Sequence, residues 1–130
     1  MLIKVLVADD HEILRDGLRA LLQRDKEIEV VGAASNGLEA YKMAKNLRPD
    51  VIVMDVSMPV MTGIEATAQI MSEMPDMKII ALTMHNDKYY LNGIRESGAK
   101  GYLLKDCAFD QLRLAIKSLA AGNDYFHTNN

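Results

Sequence analysis

The sequence predicts an α/β chain: a doubly wound, five-stranded parallel sheet in the order 2-1-3-4-5, with helices on both faces. Three observations predict it. Short apolar runs alternate with amphipathic stretches along the chain, the pattern of strand–helix units joined by right-handed crossovers. The first, third and fourth runs are nearly continuous in Val, Ile, Leu and Met, as strands covered on both faces are. The 130 residues hold five such units, too few for an eight-fold barrel.

The strands are expected at Ile3–Ala8, Ile28–Ala33, Val51–Met54, Lys78–Leu82 and Gly101–Leu104. In the first helical segment Ile13, Leu14, Leu18, Leu21 and Leu22 share one face, and Arg15, Asp16, Arg19 and Gln23 the other. The second, Leu38–Leu47, places Leu38, Tyr41, Ala44 and Leu47 on a stripe between the turn signal Asn36-Gly37 and Pro49. The third runs from Ile64 to Glu73 with Ile64, Ala68 and Met71 inward and stops at Pro75. The fourth spans Asp87 to Glu96 and ends at Ser97-Gly98, where Gly98 suits a left-handed cap. The fifth, Phe109 to Ala121, buries Phe109, Leu112, Ile116 and Leu119 and stops at Gly122-Asn123. The regular pattern defines one domain over residues 1–122, and residues 123–130 read as an irregular tail or the start of a linker.

Composition narrows the function classes. Hydrophobic residues make up 49% and charged residues 25%, an ordinary globular balance that excludes a disordered, collagen-like or disulfide-stapled chain. A single cysteine, Cys107, allows no internal disulfide and suits a reducing compartment. No apolar run is long enough to span a membrane, and Met1–Val7 reads as a buried strand, not a signal peptide. A cytoplasmic location is expected. The net charge is −3, from 15 basic and 18 acidic side chains with no Lys/Arg run, so nucleic-acid binding through this chain is not expected.

The acids fall where chemistry is expected. In a doubly wound sheet the crevice lies beyond the carboxyl ends of the strands, at the switch point between strands 1 and 3. Strand 1 runs into Asp9-Asp10 and strand 3 into Asp55. Two carboxylates about 4 Å apart repel by about 4 kcal/mol at an effective dielectric of about 20, so full ionisation calls for a cation. Oxygen ligands with room for water select magnesium. Taken singly, each acid could equally cap a helix; together at the switch point they favour a metal site. Strands 4 and 5 lead to Thr83 and Lys105 at the same rim. A hydroxyl and an ammonium beside acids and a metal suit a phosphoryl group, whose oxygens need neutralising.

The residues Asp9-Asp10-His11, Asp55-Val56-Ser57-Met58-Pro59-Val60-Met61-Thr62-Gly63, Leu82-Thr83 and Gly98-Ala99-Lys100-Gly101-Tyr102-Leu103-Leu104-Lys105-Asp106 resemble the receiver domain of bacterial two-component response regulators over Leu2 to Gly122. His11, the Gly101–Asp106 run and Gly37-Leu38-Glu39-Ala40 resemble the NarL/LuxR-type subfamily, whose receiver precedes a helix-turn-helix DNA-binding domain. The resemblance implies a flavodoxin-like (βα)5 three-layer sandwich and a phosphorylation-activated switch. Asp55 would be the phosphoacceptor, taking its phosphoryl group from a phosphohistidine on a sensor histidine kinase. Asp10 and Asp55 would ligate Mg2+ directly, Asp9 through water, and Ser57 through its backbone carbonyl. Lys105 would pair with Asp55 and then with a phosphoryl oxygen. Thr83 would bond the phosphoryl group and draw its loop inward, and Tyr102 would follow. The readout would be a changed surface over helix 4, strand 5 and helix 5, used for homodimerisation or for release of an output domain.

Some residues carry a second reading. Tyr102 could be a half-buried aromatic on an edge strand. Ser57 and His85 flank the approach of water to an aspartyl phosphate, or are exposed loop residues. Many receivers follow the lysine with proline in a cis peptide; here Asp106 follows Lys105, which leaves that bond's geometry open. The nine methionines fit gap-filling in the core. A zinc site from His11, His85 and His127 has little support, because the three lie on different loops and the tail. Cys107 has no base nearby in sequence and reads as inert. Two rivals remain. An aspartate-nucleophile phosphatase needs Asp-x-Asp after strand 1, where this chain has Asp10-His11-Glu12. A pseudo-receiver acting only as an interaction module would not need every site position filled.

Overall fold

The structure is a computed structural model and describes residues 2–84 and 88–126. In chain order the elements are β1 (Ile3–Ala8), α1 (Glu12–Gln23), β2 (Ile28–Ala34), α2 (Gly37–Leu47), β3 (Val51–Asp55), α3 (Gly63–Glu73), β4 (Lys78–Thr83), α4 (Lys88–Glu96), β5 (Gly101–Leu104), α5 (Ala108–Ala120) and β6 (Tyr125–Phe126). Every strand pairing is parallel, and the sheet order is β2-β1-β3-β4-β5-β6. The parallel order 2-1-3-4-5 is therefore present with a sixth strand added at its β5 edge.

The continuous apolar runs are explained by two-sided burial. Side chains alternate across a strand, so Val5, Val7, Val51, Val53, Ile80 and Leu82 pack with Leu18 and Leu22 of α1 and Leu112, Ile116 and Leu119 of α5. Their neighbours Leu6, Ala8, Ile52, Met54 and Ile79 pack on the opposite face with Ala40 and Ala44 of α2 and Ala66 and Ile70 of α3. A smaller cluster joins Ala81 and Tyr102 to Ile94 of α4. Local chemistry fixes the helix ends. Asn36 Oδ1 accepts from the Glu39 amide at the start of α2, and Thr62 and Glu65 form a reciprocal capping box on α3. Gly98 takes φ +104 after α4, the left-handed cap its sequence predicts. Of the residues read into the fourth helix, Asp87 lies outside the described ones.

Four sequence expectations are corrected. The tail contributes a strand: Tyr125 and Phe126 pair with Gly101 and Tyr102, a stretch too short to leave a periodic signal. A Cβ on Gly101 would lie 2.5 Å from the Tyr125 carbonyl oxygen, so the missing side chain lets β6 lie close. Ile13 is 90% exposed and Phe109 48% exposed, because each sits in the first turn of its helix, out at the carboxyl rim. Leu47 is 41% exposed at the end of α2. In α3 the buried residues are Gly63, Ala66, Thr67 and Ile70, while Ala68 is exposed. The small side chains let the helix approach the sheet along that stripe, and Ile64 and Met71 only flank it.

Tyr102 is 2% exposed, not half-buried, because β6 covers the edge it would otherwise occupy. Its ring lies 6.0 Å from that of Phe126, and the Arg95 guanidinium stands 3.9 Å from the Phe126 centroid. Among the described residues no helix is long and apolar enough to cross a membrane.

Candidate functional site

Four segments bring five residues to the carboxyl rim because parallel strands all end there. Immediately after β1 come Asp9, buried, and Asp10, whose side chain is one-third exposed. Asp55, the last residue of β3, is buried. Thr83, the last residue of β4, is buried. Lys105 follows β5 in a single 3-10 turn, Lys105–Cys107. The described backbone holds no cis peptide, so the bond before Asp106 is trans.

Lys105 Nζ lies 3.1 Å from Asp55 Oδ2 and 3.5 Å from Asp9 Oδ2. Asp55 Oδ1 accepts from the Ser57 amide at 3.2 Å, and Asp9 Oδ1 from the His11 amide at 2.8 Å. The Asp9 carbonyl oxygen accepts from Arg15 Nη1 at 3.0 Å, which ties the end of β1 to α1. Ligand atoms of Asp9, Asp10, His11 and Asp55 all lie within 4.8 Å of one another. Burial pushes the Asp55 carboxyl up to about 6, with repulsion from Asp9 adding to it; the Ser57 amide and Lys105 oppose the rise without cancelling it.

The loop after β3 is held from several sides. The Val56 amide donates to Leu82, the Gly63 amide to Val56 and the Gly37 amide to Met61. Val60 has φ +70, an uncommon conformation for a β-branched residue. A Cβ on Gly63 would fall 1.9 Å from the Asp55 carbonyl oxygen, so α3 begins in direct contact with the backbone of the residue it supports.

Of the sequence-predicted residues, Asp9, Asp10, Asp55 and Lys105 converge on one point. The Ser57 backbone meets Asp55, and its side chain is exposed. Thr83 ends the strand beside β3, while Tyr102 lies back from the rim, opposite Ala81 and beneath Phe126. Cys107 is half-buried in the turn after β5. His85 and His127 lie outside the described residues. Sequence reasoning took His11 as part of the Asp9-Asp10-His11 motif and gave it little weight as a zinc ligand; its ring nitrogen Nδ1 stands 3.1 Å from Asp9 Oδ1 and 3.2 Å from Lys105 Nζ. Its adjacency to the acid pair was the available signal.

The sequence and the fold both have known relatives. The sequence profile of the response regulator receiver domain matches residues 5–117. This chain belongs to the response regulator receiver family. The receiver is 38% identical over 125 residues to the transcriptional regulatory protein DegU of Brevibacillus brevis, covering 96% of this chain and 53% of the relative. A LuxR-family two-component response regulator from Aurantimonas sp. SI85-9A1 superposes with a TM-score of 0.91 at 34% identity, over 96% of this chain and 89% of that one. The signal receiver domain of the putative response regulator NarL from Mycobacterium tuberculosis gives 0.90 at 30% identity, over 94% and 98%. These likenesses place the receiver in the NarL/LuxR type. It spans about half the length of the curated relatives it matches.

Proposed function

We propose that this receiver takes a phosphoryl group from a phosphohistidine of a sensor histidine kinase onto Asp55, and that the aspartyl phosphate switches a DNA-binding output domain. The observation that carries the reading is the convergence of Asp9, Asp10 and Asp55 with the Lys105 ammonium 3.1 Å from Asp55 Oδ2.

The donor set fits magnesium. Asp9 Oδ2 and Asp55 Oδ2 are buried and share a single cation, the Lys105 ammonium, and the surrounding carboxylates are oxygen donors open to water on the Asp10 side. Asp10 and Asp55 would hold the ion directly, Asp9 through water and Ser57 through its carbonyl oxygen. Bound magnesium would neutralise the crowded carboxylates and the phosphoryl oxygens.

The chain's own residues do the rest. The Ser57 amide and Lys105 hold Asp55 in place, so that a carboxylate oxygen attacks phosphorus as the P–N bond to the donor imidazole breaks. Lys105 then pairs with a phosphoryl oxygen, and the Thr83 hydroxyl binds another. Phosphorylation adds about −1.5 to −2 charges at the rim, which favours one arrangement of the β4–α4 loop over the other. Tyr102, packed against Ala81 and Ile94, follows. The receiver acts only on its own phosphorylation state; residues 1–122 form the switch, and the segment from 123 leads toward the output domain. It works in the cytoplasm, with DNA contacted only outside this chain and homodimerisation through α4, β5 and α5.

The exposed Ile13, Met84 and Phe109 stand with Leu14 around the rim beside His11 and Lys105. An apolar patch over a buried nucleophile supports docking of a partner that delivers the phosphoryl group.

Incubation with acetyl phosphate, with and without magnesium, followed by intact-mass measurement tests the reading. A magnesium-dependent gain of one phosphoryl group is expected, and its complete loss in Asp55→Asn. A folded protein that gains nothing would point instead to a phosphorylation-independent interaction module, and steady turnover of phosphate esters to a phosphatase. Ile13→Asp should leave the acetyl phosphate reaction within about twofold while slowing transfer from a kinase at least about tenfold. Equal slowing of both reactions would remove the patch from donor docking.

A further inference from the structure

We propose that Tyr125 and Phe126 form a latch across the α4–β5–α5 face, closed in the unphosphorylated receiver and loosened when Asp55 is phosphorylated. The inference rests on the proposed phosphoryl acceptance at Asp55 and adds to it a regulatory contact supplied by the chain after α5.

The contacts of these two residues supply the first argument, because between them they touch all three elements of the face. On β5 they pair in register with Gly101 and Tyr102, and the Tyr125 amide donates to the Lys100 carbonyl just before that strand at 2.9 Å. On α5 the Tyr125 hydroxyl donates to Gln111 Oε1 at 3.2 Å. On α4 the Arg95 guanidinium stands 3.9 Å from the Phe126 centroid, and the Tyr102 ring lies 6.0 Å away. The surface proposed to meet a second copy or an output domain is thus occupied by the chain's own tail.

The way the strand is held supplies the second argument. Gly122, at φ +93, closes α5, and the Gly122 and Asn123 amides donate to the Leu119 and Ser118 carbonyls. Exposed Asn123 and Asp124 alone separate that turn from β6, whose own two residues are half-buried. A two-residue edge strand makes few ladder bonds and opens locally at far smaller cost than the sheet behind it. It is therefore suited to being closed in one state and open in another.

The sheet order sets the sign. Tyr102 lies opposite Ala81 and Leu104 opposite Thr83, so the space that Thr83 leaves when it moves to a phosphoryl group lies on the β4 side of Tyr102. Phe126 lies on the other side, in β6. A Tyr102 ring that follows Thr83 moves away from Phe126. The closed latch holds Tyr102 back, and the phosphorylated state loosens the latch. Coupling between two equilibria is reciprocal, so weakening the latch tightens binding of a phosphoryl group at Asp55 by the same factor.

Beryllofluoride with magnesium, a stand-in for the phosphoryl group, is titrated against the wild type, Phe126→Ala and Gly101→Ala, and hydrogen exchange of the Tyr125 amide is followed with and without it. Phe126→Ala removes the ring beside Tyr102 and Arg95. Gly101→Ala adds a methyl whose three nearest neighbours are all atoms of Tyr125, which lifts β6 without altering its residues. In the wild type the Tyr125 amide should be protected, and saturation with beryllofluoride should speed its exchange about tenfold. Both variants should lose that protection and bind beryllofluoride about tenfold more tightly. A strand that only stabilises the fold would lower Tm in both variants and leave beryllofluoride affinity unchanged, which overturns the inference. So does an unprotected Tyr125 amide in the free wild type, or one that beryllofluoride protects further. Wild-type binding with no shift in either variant overturns the latch alone. A folded wild type that neither binds beryllofluoride nor gains mass from acetyl phosphate overturns the proposed function, and the coupling with it.

Discussion

Replacing Asp55 by Asn should stabilise the metal-free protein by about 3 kcal/mol at about pH 7.5. Burial and the neighbouring Asp9 raise the Asp55 carboxyl from its ordinary 3.8 to about 6. Below the unfolded value both states carry the proton and the group costs nothing. As pH rises from there through about 6, the unfolded chain releases its proton first, and folding must hold back or ionise a buried acid. Stability is therefore present at low pH and lost on the way to neutrality. Asn carries no charge at any pH and escapes the loss. Urea unfolding of both proteins between about pH 3 and 8 should give curves that coincide at the acid end, diverge between about pH 4 and 6, and keep a constant gap above that. Magnesium should narrow the gap, since an ion bound to the folded wild type stabilises it by mass action. Parallel curves across the whole range would mean that Asp55 is solvated or fully compensated by Lys105, and the strain assigned to the rim would be absent.

The second large effect is expected at Gly63. A methyl group there would overlap the carbonyl oxygen of Asp55 and approach Val56 Cα at 2.7 Å. Neither is the end of a flexible side chain, so the start of α3 or the end of β3 must move. Gly63→Ala should destabilise the protein by about 3 kcal/mol or more, at the severe end of single substitutions, and lower Tm by roughly 10 °C. Because the moved backbone carries Asp55, phosphoryl gain from acetyl phosphate should fall at least about tenfold in the fraction that remains folded. Calorimetry and intact mass on the same sample separate the two effects. An unchanged Tm would show that α3 can shift outward without cost.

Much of this was legible in the sequence because parallel sheets put their information at strand ends. Runs such as Val51–Met54 are apolar throughout since both faces are covered, and the first polar residue after each run marks the rim. That rule found Asp9, Asp10, Asp55, Thr83 and Lys105 without a structure. It failed where a residue's neighbours depend on the packing of distant segments. Ile13 and Phe109 fit a helical apolar stripe, but helical period alone does not say that a first turn projects past the sheet. Ala66 and Thr67 were overlooked in favour of bulkier Ile64 and Met71, although small residues are what permit a helix to lie close. The contact of His11 with Lys105 spans 94 positions and leaves no local trace beyond adjacency to two aspartates. Tyr125 and Phe126 form a strand only because Gly101 leaves room beside it.

The added strand also decides what lies at the sheet edge. β6 runs parallel to β5, so Phe126 sits three strand spacings from β3, about 14 Å sideways from Asp55. That separation exceeds the screening length of about 8 Å at physiological salt, so a new charge on Asp55 would have little direct pull on Phe126. Whatever reaches this edge must travel by contact, through Tyr102, Phe126 and the Arg95 side chain stacked on it. The edge of the sheet is thus a mechanical coupling whose stiffness, more than its charge, decides how much of an event at Asp55 it feels.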